Sequence, residues 1–391
     1  MTDLHDLFPD STTVVLEPAP DSRGENLSET SAGESSVNIL TIAQRLDASD
    51  ILMTVRYVFL SLSLPVTVCN VIVFVQKRMR SATSVYILGL SFAQIFFLLS
   101  HIGLIMWSGL HSDPTSSYFF CLYKLYAISF GSVIARRGSY VILCFVSTER
   151  LCAILRPLHV KNFVLSKFSV TVMVTTFVVT TVFHFYVPAK FVVTMEAEED
   201  ELGGAPKCRS KVTDLYLRHK DVNDTFSLAV KILMTYMALF LQILLNVLTI
   251  WALRRHNVAA AKHVQSSANE DTRRQRERQL TVTILVTTIA YVVLSLPACL
   301  NGLLNIVLPG YNEQDRYANL AHVVYNLCLD LQILSCSVDF VCFFALSSNY
   351  RKTFFRVFYC FGLPAQRIKG AATTTTTESE HTMPGNTMST E

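Results

Sequence analysis

The chain has 391 residues, of which 51% are hydrophobic and 16% are Asp, Glu, Lys or Arg. So apolar a composition excludes an ordinary water-soluble domain and fits a chain that crosses a membrane several times. The formal net charge of +3 says little by itself; its distribution along the chain says more.

Residues 1–50 hold ten acids against two bases and several Ser, Thr and Pro. They lack the apolar core of a signal peptide and are predicted to be a disordered tail. Asn26, in Asn26-Leu27-Ser28, is a glycosylation acceptor if that tail is outside the cell. Seven apolar segments follow, at 52–76, 84–108, 118–150, 168–193, 226–253, 279–307 and 319–346. Each is long enough to span a bilayer, and no internal repeat of the transporter kind is visible. The predicted fold is an all-α membrane protein: a seven-helix bundle over 51–346, then a short amphipathic eighth helix.

Positive charge sets the orientation. Lys77, Arg78 and Arg80 follow the first segment, and Arg156, Lys161 and Lys167 follow the third. The stretch 254–279 holds seven Lys or Arg against three acids. The opposite side carries the acidic run Glu196 to Glu201. The N-terminus is therefore expected outside the plasma membrane and the C-terminus in the cytoplasm. Segment 347–361 interleaves bases with Tyr350, Phe354, Phe355 and Phe358, as suits a helix lying in the inner interface. Cys360 near its end is a palmitoylation candidate. The tail, 362–391, is Thr-rich and reads as disordered and phosphorylatable.

The third segment carries the densest information. Its 29 steps from Cys121 to Arg150 make about 44 Å of helix. Arg136 and Arg137 sit near its middle, where a charge is costly and marks function by default. Glu149-Arg150 closes it, followed by Pro157-Leu158. This resembles the third helix of rhodopsin-like G-protein-coupled receptors, whose acid-arginine pair ends the helix on the cytoplasmic side. Other positions extend the resemblance across about 50–361. Asn70 in the first segment is similar to the family's asparagine, and Pro297 in YVVLSLP stands where the family kinks its sixth helix. Asp339 in SVDFVCF matches the polar residue of the family's seventh helix, with Phe340 and Phe343 replacing its Pro and Tyr.

There are departures. Gln94, in YILGLSFAQ, stands where the family has a sodium-binding aspartate; a neutral amide binds a cation poorly, and its expected partner is Asn70 or a water. Leu151 follows Arg150 instead of Tyr, and Cys121 lies about one turn farther from Arg150 than usual. The fourth segment lacks the family's tryptophan, and the fifth has Gln242 rather than a proline. Arg136, the Leu-Pro sixth helix and the Pro-less seventh give the chain the look of invertebrate neuropeptide receptors of the FMRFamide type.

What the resemblance implies is a receptor activated by an extracellular peptide and signalling through a heterotrimeric G protein. Arrestin and a receptor kinase would act through the Thr-rich tail. It implies a disulfide between Cys121 and Cys208 of the second outer loop. It implies an activation switch of Glu149, Arg150, Pro297, Asp339, Asn70 and Gln94, and a ligand cavity reached by Arg136. Arg137 would point more towards helices 4 and 5. Asp330, nine residues before Asp339, is the expected partner of Arg136, either orienting it for the ligand or closing a structural ion pair. The seventh segment has no lysine for a retinal Schiff base, and Ser132 stands where the family's amine receptors have an aspartate. The charged outer loop, about 194–225, suits a peptide; it also carries a second sequon at Asn223.

No HExxH, GxSxG or phosphate-binding loop is present, so an enzyme is not expected. No cofactor, metal or nucleic-acid partner is expected. His101, His184 and His322 are widely spaced and read as structural. The alternatives are a chemosensory receptor for a small external ligand and, in another class, a channel or transporter.

Overall fold

The computed structural model describes residues 40–79, 82–110, 117–155, 166–196, 207–261, 268–308, 311 and 317–362. The sequon at Asn26 and the Thr-rich tail lie outside them. Seven helices are long and apolar enough to cross a membrane. They are α1 (Ile42–Val75), α2 (Ala82–Leu110), α3 (Tyr118–Leu155), α4 (Phe168–Lys190), α5 (Lys220–Arg255), α6 (Ala268–Val307) and α7 (Ala318–Leu346). A shorter α8 (Ser348–Gly362) follows. The expected seven-helix bundle and eighth helix are thus both present.

Two helices begin well before the apolar segments do. α1 starts at Ile42, inside the stretch read as tail. Thr41 and Gln44 form a reciprocal capping box there, which satisfies two otherwise orphaned backbone N–H groups. Asn319 Nδ2 on α7 donates to the Leu40 carbonyl at 2.8 Å, and Arg45 donates to Asn319 Oδ1 at 3.3 Å. These polar turns stand beyond the apolar stretch and pack on α7. α6 likewise starts at Ala268 rather than near 279. Its first turns are too charged to register as a span.

α3 is α-helical at both ends but π-helical from Lys124 to Ser132. Each π ring takes in one more residue than an α ring. The stretch therefore absorbs part of the extra length between Cys121 and Arg150. α5 has a second π stretch, Ile232–Met237.

α3 occupies the middle, packing against α2, α4, α5 and α6, while α7 packs on α1 and α6. Small residues permit the close approaches. A Cβ on Gly138 of α3 would come within 2.8 Å of the Phe177 ring on α4, the kind of small-residue contact by which membrane helices associate. Facing outwards are bare apolar side chains such as Leu62, Phe92, Val182, Phe240, Val247 and Val293. Those are the surfaces a bilayer covers.

Several hydroxyls buried in the spans are satisfied within their own helix. Thr67, Ser139, Thr176, Thr180 and Thr287 each donate to a carbonyl four residues back, at 2.7 to 2.9 Å. This arrangement carries polar groups through an apolar layer without exposing them.

An antiparallel hairpin of β1 (Phe191–Glu196) and β2 (Lys207–Val212), with Met195 opposite Cys208, packs at the end of the bundle where α3 begins. Cys208 is disulfide-bonded to Cys121 at the start of α3, with Cα atoms 6.4 Å apart. Beyond the hairpin, a helical turn at Asp214–Arg218 buries Tyr216, whose hydroxyl donates to Asp224 at the start of α5. Burial and the nearby Asp224 carboxylate push the Tyr216 phenol above its ordinary pKa, so it remains a donor. Lys190 lies over its ring, 4.5 Å from the centroid. Asn223, expected in an open loop, sits on the first turns of α5.

Candidate functional site

Polar residues run down the bundle interior and meet in several separate groups. The outermost joins α1 to α7. Arg56 Nε contacts Asp330 Oδ1 at 2.7 Å, with side-chain exposures of 5% and 2%. Its other arm donates to Asn326 Oδ1 at 2.8 Å, and Asn326 bonds His322 one turn away. A buried ion pair with supporting hydrogen bonds is what offsets the desolvation of both charges.

This corrects the expected pairing of Arg136 with Asp330. Asp330 is taken by α1. Arg136 instead donates to Gln332 Oε1 at 2.7 Å. The physical reason is rotation about the α7 axis. Residues 330 and 332 are two steps apart and point about 200° apart, so one faces α1 and the other α3. The depth inferred from spacing was right; the facing helix was not.

Arg137 points towards α4, as expected, and its guanidinium meets His184 Nε2. His184 is fully buried, and its Nδ1 lies 2.6 Å from the Thr180 carbonyl. Nδ1 therefore donates and Nε2 accepts. His101 similarly holds the Phe97 carbonyl at 2.9 Å. The third, His322, instead meets the Asn326 side chain through its Nε2, at 3.0 Å.

Below Arg136 lies a narrow internal cavity, lined among others by Gln94, Ser139, Tyr140, Tyr291 and Gln332. At its floor Gln94 Nε2 donates to Asp339 Oδ2 at 2.9 Å. Gln94 Oε1 and Asp339 Oδ1 remain buried without a partner in the structure. Gln94, expected to meet Asn70 or a water, thus bonds instead the carboxylate of Asp339 on α7. Asn70 is engaged elsewhere: the Tyr350 hydroxyl, on α8, donates to its Oδ1 at 2.6 Å. Both residues are fully buried, and Tyr350 sits among Phe74, Phe340 and Phe343. The three polar residues expected to form one switch are therefore two pairs, one joining α2 to α7 and one joining α1 to α8.

The innermost group is at the end of α3. Arg150 contacts Glu149 at 3.2 Å, and both are about nine-tenths buried. Thr83 Oγ1 on α2 lies 3.0 and 3.1 Å from the two Glu149 oxygens. A hydroxyl has one proton, so it donates to either oxygen in turn. Glu149 is held from two sides. Nearby, Gln242 Nε2 on α5 donates to Ser147 at 2.7 Å, and Thr288 on α6 donates to Asn246 on α5 at 2.9 Å. Pro297 lies within α6, where the missing N–H weakens the helix locally. Cys360 falls on the last turn of α8, with its side chain outside the described residues.

Arg56, Gln332, Thr83 and Tyr350 complete these groups and were not expected as site residues. Arg56 carries the signal that flagged Arg136, a lone cation inside an apolar segment. Tyr350 reads as one more aromatic on an amphipathic helix, and only the fold shows its hydroxyl turned inwards.

A family model described as 7 transmembrane receptor (rhodopsin family) matches residues 44–342. No curated protein matches the chain.

Proposed function

Because this chain belongs to the rhodopsin family of seven-transmembrane receptors, and is thus a multi-pass membrane protein of the G-protein-coupled receptor class and not an enzyme, we propose that an extracellular neuropeptide activates it. We also propose that its Glu149–Arg150 end is the G-protein switch. The observation that carries this reading is the clamp on Glu149. One carboxylate is held by Arg150 on its own helix and by Thr83 on α2. It closes the end of α3 in a form that breaks when α2 and α3 separate.

The remaining groups fit a two-state switch. A peptide held under the β1–β2 hairpin would favour one arrangement of α3, α6 and α7. α6 would swing about Pro297, the Gln94–Asp339 bond would shift, and Arg150 would leave Glu149 for the G protein. The Asn70–Tyr350 bond would hold α8 against the bundle on the same side. The Cys121–Cys208 bridge supports an N-terminus outside the cell, since disulfides persist in oxidising compartments. Basic residues after α1 and α7 would then face the anionic inner leaflet. Arrestin and kinase contacts belong to the Thr-rich tail, and glycans to Asn26 and Asn223.

The test is a screen of amidated peptides on cells expressing the receptor, followed by G-protein nucleotide exchange. Arg150→Ala is expected to abolish exchange while peptide binding survives. Glu149→Ala should raise exchange without peptide, and Thr83→Ala should raise it less. Unchanged exchange by Arg150→Ala would reject the switch.

A further inference from the structure

We infer that the ligand presents a carboxylate to Arg136, an inference that rests on the receptor function proposed above and names the chemistry of what it binds. Three arginines, Arg56, Arg136 and Arg137, are held in the middle of the spans, away from the Glu149–Arg150 pair at the end of α3, and of these three only Arg56 has a carboxylate partner, Asp330. Arg136 has the amide oxygen of Gln332 at 2.7 Å. Arg137 has the imidazole of His184, whose Nδ1 is committed to the Thr180 carbonyl. An amide and a neutral imidazole satisfy individual N–H groups but cancel no charge. A guanidinium carries five donors and keeps its proton, and charges out of water are normally paired. Two adjacent cations on α3 thus lack the anion that the third possesses.

The surroundings are those an anion requires. The cavity beside Arg136 includes the phenols of Tyr140 and Tyr291. Arg137, outside that lining, is acted on by Tyr186, Tyr140 and Arg136 itself. Phenols donate readily, so Tyr140 and Tyr291 supply donors beside the Arg136 charge. The two buried carboxylates of α7 bond other residues, Asp330 Oδ1 with Arg56 and Asp339 Oδ2 with Gln94. Gln332 holds the Arg136 fork in place from α7 without neutralising it. A carboxylate accepts from such a fork through two parallel hydrogen bonds, the strongest pairing a guanidinium makes.

The carboxylate could come from a peptide, as a free C-terminus or an acidic side chain, or from a small organic acid. The experiment uses matched pairs on the purified full-length receptor. Peptides are compared as C-terminal acid and amide and with Glu or Asp exchanged for Gln or Asn; benzoate and phenylacetate are compared with their amides. Thermal stabilisation reports binding independently of nucleotide exchange on the G protein. The acid member of an active pair is expected to bind about tenfold or more tightly, the scale of one charge-assisted contact. Arg136→Gln, which keeps a donor to Gln332, should erase the difference, and Arg136→Lys should restore part of it.

Peptide pairs with equal affinity would overturn the carboxylate while leaving the peptide receptor intact. Activity confined to the small acids, lost in Arg136→Gln, would uphold the carboxylate and reject the peptide. Stabilisation by sodium chloride that depends on Arg136, with acid and neutral members equal, would assign the site to an inorganic ion and overturn the inference. Silence of both sets would overturn both.

Discussion

Arg56 and Arg136 reach the same helix two residues apart, and α7 answers them differently. To α1 it offers the carboxylate of Asp330, and a buried ion bridge results. To α3 it offers the amide of Gln332, and the guanidinium keeps its charge beside an internal cavity. A closed pair fixes two helices to one another. An open cation holds an unmet interaction in reserve, and a ligand that meets it gains free energy from binding one arrangement of the bundle over another. On the proposed reading, the α1–α7 seam is framework and the α3–α7 seam is where the receptor responds.

The largest expected effect comes from breaking the closed pair. Asp330→Ala leaves Arg56 buried without an anion, which costs about 3–5 kcal/mol; surface density and the Tm of the detergent-purified receptor should both fall. The exchange Arg56→Asp with Asp330→Arg should recover part of that loss. Recovery by Arg136→Asp with Asp330→Arg instead would restore the pairing that the fold rejects.

Next in size is the outer tether. Cys208→Ser frees the hairpin from α3 and should cost about 2–4 kcal/mol, read as reduced surface expression and protease sensitivity of the outer loop. Normal expression and peptide response from this variant would make the hairpin irrelevant to the site beneath it.

A smaller break concerns the other fully buried bond of α1. Tyr350→Phe removes a hydroxyl and leaves the Asn70 amide oxygen without its donor, at a cost of about 1–3 kcal/mol. Because the ring stays, packing against Phe343 persists and the loss is of the bond alone. Basal nucleotide exchange should change with little change in peptide affinity; a parallel fall in peptide affinity would place Tyr350 in the ligand seam instead.

Much of this was legible before the fold. Seven apolar runs predict seven spans because a bilayer admits little else, and seven helices of that kind are present. Partnerships were less legible. Arg56 and Asp330 are 274 residues apart in the chain, and helical spacing fixes how deep Asp330 lies but not which neighbour it faces. The same limit separated Asn70 from Gln94. Charged end turns such as 42–50 and 268–278 hide helix ends, since hydropathy marks what lipid covers rather than where hydrogen bonding stops. The π stretch in α3 has no sequence signature of its own, yet it eases the span from Cys121 to Arg150.

One paired measurement addresses the contrast between the seams directly. Arg56→Gln and Arg136→Gln remove the same charge from the same depth of the bundle. Surface density and Tm are read for both, then nucleotide exchange at saturating agonist and agonist affinity. Arg56→Gln is expected to lower density and Tm sharply. Arg136→Gln is expected to keep both within a few degrees of the parent and to lose about tenfold or more in agonist affinity. The reverse pattern, with Arg136→Gln failing to fold and Arg56→Gln folding normally but binding weakly, would contradict the division into a framework seam and a responding one.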